Sequence, residues 1–130
     1  MRSVFSVVVM RLVSYLLGLV AACLLLIWVD HSPSDIANQT SLLILVLAAG
    51  SLGLAAPRWA WLSALVLGSS LAVVHMIYLA MGLTLPYQMS PAGWAGPASL
   101  LILIIPAGLV AYLGAGVAVF MTRHRQASAP

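Results

Sequence analysis

The sequence predicts an all-α integral membrane protein: four transmembrane helices in an antiparallel bundle, both termini cytoplasmic. Three observations carry that reading. Hydrophobic residues fill 64% of the 130 positions and charged residues only 5%, whereas a soluble domain is about a quarter charged and needs those groups to coat its surface. The apolar residues fall into four runs near the length of about 20 residues that a membrane helix requires. The five arginines (Arg2, Arg11, Arg58, Arg123, Arg125) lie on one side of the resulting plan, Asp30 and Asp35 lie on the other, and there is no lysine or glutamate.

The spans are expected at approximately 8–29, 35–55, 59–81 and 98–120, as a single domain over 1–130. In the first, Arg11 sits about 27 Å before Val29 at 1.5 Å per residue, near the inner boundary. An arginine at the bilayer centre would cost about 2.5–3.5 kcal/mol, so Arg11 is read as an anchor that snorkels to the headgroups. Trp28, Asp30 and His31 mark the opposite interface. Both acids are expected there as solvated or helix-capping charges, with Ser32 as N-cap, Pro33 at the first helical position and Asp35 complementing the dipole of the second span.

Ala56-Pro57-Arg58 allows only a tight turn, which makes spans two and three antiparallel neighbours. Trp59 and Trp61 follow at interfacial depth. Gly82 is placed to cap span three, and 82–97 is an outer loop whose Pro86, Tyr87, Pro91 and Trp94, without any charge, suit the membrane interface. Pro106 removes its own nitrogen's bond to the Ile102 carbonyl and predicts a kink in span four. Arg123 and Arg125 then stop that span. With Arg11 and Arg58 they are the topology anchors, because cytoplasmic loops are enriched in basic residues close to span ends.

Small residues at four-residue spacing let helices approach in lipid. The candidate packing residues are Ser14, Gly18 and Ala22 in span one, and Ala49 and Gly53 in span two. Span three adds Ala64 and Gly68, and span four Ala107, Ala111 and Ala115.

Among polar groups, His75 stands out as the one ionisable side chain expected inside the membrane, which makes it a candidate by default. Ser69, Ser70 and Tyr78 lie near it in sequence and could satisfy it. Catalysis is not expected: no carboxylate is anticipated inside the bilayer beside His75, no His-Glu-x-x-His pattern exists, and the single Cys23 offers no metal set. Five scattered arginines form no basic stripe, so nucleic acid is excluded as a partner.

Minimal loops and small-residue faces point to a small non-catalytic membrane subunit packing against larger partners, in a respiratory or photosynthetic type of assembly. One alternative is a homo-oligomeric transporter or channel with His75 in its path, and a weaker one is pigment or haem binding through His75. The expected partners are the lipid bilayer and other membrane subunits or copies of the chain itself. The short connections suit a bacterial inner membrane.

Overall fold

Long apolar runs become long helices here, because the prolines within the helices fall where they begin or bend and the glycines inside them lie among strongly apolar neighbours. The computed structural model describes residues 2–32, 37–84, 87–89 and 91–127. Helix α1 covers Arg2–Asp30 and α2 covers Ala37–Ala55. A 3₁₀ turn at Pro57–Trp59 leads into α3, Ala60–Ala80. The fourth column is continuous: α4 (Ala95–Ser99), a 3₁₀ stretch (Leu100–Leu103) and α5 (Ile104–Ala127). No strand occurs among the described residues.

Three helical stretches, Ser6–Asp30, Pro57–Ala80 and Ala95–Ala127, are long and apolar enough to cross a membrane, and α2 is a shorter apolar helix. Their outward surfaces agree with that solvent. Leu17 and Leu113, both far from a helix end, are 65% and 69% exposed, and water would penalise such side chains by about 25 cal/mol for each Å² left uncovered.

Side-chain contacts set the directions. Tyr15 meets Trp59 and Ser63 at one end while Asp30 meets His75 at the other, so α1 and α3 run parallel. Gly68 faces Ile104 and Gly108 faces Ala64, so α5 runs against α3. Gly50 faces Val110 and Gly114 faces Leu54, so α5 runs with α2. The order is up, down, up, down. Helices α2 and α3 form the middle of the bundle, each touching both α1 and α5, and α1 and α5 do not touch each other.

The α2–α5 seam is set by glycine. A methyl group on Gly53 would run into the Ala111 carbonyl, and one on Gly114 into the Gly50 carbonyl. Ala49, Ala64, Ala107, Ala111 and Ala115 are buried along the same interior with Leu45, Leu67 and Leu71, and Gly53 and Gly68 are buried with them. On α1 the buried face is Tyr15, Leu19 and Leu26. Ala22 is half-buried and Ser14 is exposed; Gly18 is exposed too but borders α2, where an added methyl would touch Leu52.

The ends follow local chemistry. Gly82 takes φ of +68°, and the bonds from Leu83 N to the Tyr78 carbonyl and from Gly82 N to the Leu79 carbonyl close α3 as a Schellman motif. The 3₁₀ stretch lies immediately before Pro106, where the helix lacks an amide donor and tightens. Ser32 donates back to the Trp28 carbonyl at the end of α1. Pro33, Ser34 and Asp35, on which the expected start of the second span rests, lie outside the described residues, as do Leu85, Pro86 and Ser90 of the long loop.

Candidate functional site

The C-terminal ends of α1 and α3 bring together a polar cluster that an interfacial reading of Asp30 does not anticipate. Asp30 is 4% exposed, which overturns its assignment as a solvated loop charge. A helix turns about 100° per residue, so position 30 falls within about 60° of position 15, on the face that carries Tyr15, Leu19 and Leu26. The last residue of α1 therefore points inward with the core.

Its two oxygens have different neighbours. The Tyr87 hydroxyl donates to Oδ1 at 3.0 Å, and His75 Nε2 lies 3.2 Å from Oδ2. The second contact is within ion-pair reach but off the ring N–H direction, so neither atom completes a hydrogen bond. His75 is fully enclosed at 0% exposure. Its Nδ1 lies 2.8 Å from the Leu71 carbonyl; a carbonyl only accepts, so Nδ1 carries the hydrogen. In a neutral ring Nε2 is then an acceptor close to, though not aimed at, the carboxylate oxygen. One additional proton, on the imidazole or on the carboxyl group, would let the two groups bond.

His31 completes the shell. Its Nδ1 donates to the Ile27 carbonyl at 2.8 Å and lies 4.0 Å from Asp30 Oδ2. Its ring stacks toward His75 with centroids 6.0 Å apart and meets the Tyr78 ring at 5.2 Å. The Tyr87 ring covers His75 from the loop at 5.5 Å. Burial, the adjacent Asp30 carboxylate and the hydrogen bond to it push the Tyr87 phenol well above its ordinary value, which keeps it a donor. The outer loop thus does more than lie at the interface, because Tyr87 turns back into the bundle.

Beside this cluster is a cavity of about 370 Å³. Its polar lining is Asp30, Ser41, Tyr87, Gln88 and Ser99, and its walls include Leu26, Leu45, Leu71 and Leu103. Ser41 is 5% exposed and its hydroxyl has no partner. The Ser99 hydroxyl donates to the Gly96 carbonyl at 2.6 Å, leaving its lone pairs for an incoming donor. No arginine lines the cavity. Arg11, Arg58, Arg123 and Arg125 are all exposed, and each lies toward the opposite end of the bundle.

Of the polar residues singled out by position, His75 and Tyr78 join the cluster. Ser69 and Ser70 do not: their hydroxyls donate to the Leu65 and Leu67 carbonyls of their own helix, at 2.6 and 2.8 Å. Both ring nitrogens of His75 face groups inside the bundle, so a haem or pigment could reach it only by displacing Asp30. Among the described residues no group of three potential ligands is arranged to hold a metal ion. No carboxylate is expected beside His75, yet Asp30, the last residue of α1, lies there. Asp30, His31, Tyr87 and Ser41 are the members that sequence reasoning missed, and the shared helical face of Asp30 with Tyr15, Leu19 and Leu26 was the available signal.

Comparison with protein-family models, characterised proteins and solved structures finds no match to this chain.

Proposed function

We propose that this chain is a small non-catalytic integral membrane protein of four spans that works by holding an exchangeable proton at its outer end. The observation that carries the reading is the 3.2 Å approach of His75 Nε2 to Asp30 Oδ2, in a site sealed by Tyr87. A buried acid and base sharing one proton respond as a unit to whatever adds or removes charge beside them. Helix α2 serves as the fourth span: its 19 residues rise about 28 Å, against a hydrocarbon core of about 30 Å. Both termini and the Pro57–Trp59 turn then lie on the cytoplasmic side with the arginines, and arginine-only basic usage suits a bacterial inner membrane.

Infrared spectroscopy tests the proton-holding pair, since the chain has only two acidic side chains. In an Asp35→Asn background, the Asp30 carboxyl signal should titrate, and its midpoint should move when His75 is replaced by Gln. An identical midpoint in both proteins would refute the shared proton.

A second reading, docking as a subunit onto other membrane proteins, has its own support. Ser14 is exposed on α1, and among the described residues α1 contacts α2 and α3 but not α5, which leaves part of its surface open to a further helix. Purification in mild detergent should recover stoichiometric partners or a defined homo-oligomer; a lone monodisperse monomer would remove this reading.

A further inference from the structure

We infer that the cavity beside Asp30 is a binding site for a primary ammonium group attached to an apolar body, taken up in exchange for the proton of the Asp30–His75 pair. The inference rests on the proposed proton-holding pair for its exchange step, and on the cavity's own lining for its ligand chemistry.

The size is right for a ligand: about 370 Å³ falls within the range of about 300–1,000 Å³ for small-molecule sites. Leucine is the commonest lining residue, and the polar ones are Asp30, Ser41, Tyr87, Gln88 and Ser99, with Asp30 the one charged group. Asp30 and Ser41 border the cavity with a carboxylate oxygen and a hydroxyl that are buried without a completed hydrogen bond, so a small side-chain shift would turn them to an occupant, and the Ser99 hydroxyl has already spent its hydrogen on Gly96. A buried acceptor without a donor is destabilising, and more so if it is charged. The complementary occupant brings several donors and a positive charge. A primary ammonium has three N–H donors on one compact cation, whereas a quaternary ammonium has none. An anion would meet a carboxylate with no compensating arginine.

Charge conservation gives the coupling. The empty pair contains Asp30, His75 and one exchangeable proton. When R–NH₃⁺ binds, that proton leaves to solvent, and the site retains carboxylate, neutral imidazole with hydrogen on Nδ1, and the ammonium. No bond to carbon forms or breaks, and net charge is unchanged. The titratable groups facing Asp30 are His31 from α1, His75 from α3 and Tyr87 from the loop, with Tyr78 of α3 one ring further out against His31; α2 and α4 contribute Ser41 and Ser99. Protonation of the Asp30–His75 pair therefore competes with the ligand, and affinity rises as pH is raised.

Isothermal titration of the detergent-purified full chain uses three probes with one apolar body: 4-phenylbutylammonium, its trimethylammonium analogue and 4-phenylbutanol. The primary ammonium should bind at least about tenfold more tightly than either analogue, equivalent to about 1.4 kcal/mol, with affinity increasing from about pH 5 to about pH 8. Repeating the titration in two buffers of different ionisation enthalpy should give close to one proton released per ligand. Asp30→Asn should abolish the preference for the cation. Should that variant misfold, Ser41→Leu fills the cavity and leaves the Asp30–His75 pair in place; it should lose the probe while keeping the infrared titration of Asp30.

Equal affinity for the ammonium and the alcohol, or unchanged binding in Ser41→Leu, would overturn the site. Tight binding without proton release would overturn the exchange while leaving the cavity assignment. Comparing bilayers of phosphatidylglycerol with bilayers that also contain phosphatidylethanolamine identifies the source. Weaker probe binding in the second assigns the site to a lipid ammonium headgroup, and equal binding assigns it to a free amine.

Discussion

Breaking the Asp30–His75 pair from one side should cost far more than removing it entirely. In His75→Phe the ring volume stays against His31 and Tyr87, but Asp30, 4% exposed, keeps only the Tyr87 hydroxyl bond of 3.0 Å. A buried charge stripped of its partner destabilises by about 3–5 kcal/mol. Asp30→Leu leaves Nε2 of His75 and the Tyr87 hydroxyl without their neighbour, and at about 1–3 kcal/mol per unmet buried group it should cost about 2–6 kcal/mol. In the double variant no buried charge and no ring nitrogen remain; only the Tyr87 hydroxyl is unpaired, about 1–3 kcal/mol. The double variant should therefore be more stable than the sum of the single effects by at least about 2 kcal/mol. Reversible unfolding in mixed detergent, followed by far-ultraviolet circular dichroism at constant pH, measures all four corners of the cycle. Additivity within about 0.5 kcal/mol would refute the claim that the two side chains interact, and with it the shared proton.

Two further outcomes follow from the packing and the loop. Gly53→Ala should destabilise by about 1–3 kcal/mol, because the added methyl meets the Ala111 backbone. Gly116→Ala, with nothing within 4 Å of the new carbon, should be stabilising by up to about 1 kcal/mol through helix propensity; thermal unfolding of the two variants side by side checks the sign. The Tyr87 phenol is raised in the folded state, so its contribution is fully present below the unfolded value of about 10 and is lost as pH rises above it. The wild type should lose stability on alkaline titration more steeply than Tyr87→Phe, and superimposable curves would contradict the Tyr87–Asp30 contact.

Much of the molecule is local chemistry and could be read in order along the chain. Leucine-rich runs of spanning length become the helices, Gly82 supplies the left-handed residue that ends α3, and Pro106 leaves its mark as the 3₁₀ turn before it. The site is a different matter. Helices that are apolar on all sides carry little periodicity to mark an inner face, so the stripe Ser14, Gly18 and Ala22 was as plausible a core for α1 as Tyr15, Leu19 and Leu26. The neighbouring helices chose the second face, and Asp30 came with it.

Sequence alone determined the solvent of this protein, its helical class and the segregation of arginines from acids, because each depends on composition and distance along one chain. Tertiary structure decided that Asp30 is enclosed, that Tyr87 returns from 57 residues further along the chain to bond it, and that His75 is its partner. Those facts depend on how α1 rotates against α2 and α3 and on where a loop lands, and the backbone approach that sets the rotation is a property of paired helix surfaces. The polarity between an arginine end and an acidic end thus becomes, once α1 and α3 are packed, a bundle with exposed arginines at one end and an enclosed Asp30–His75 pair at the other.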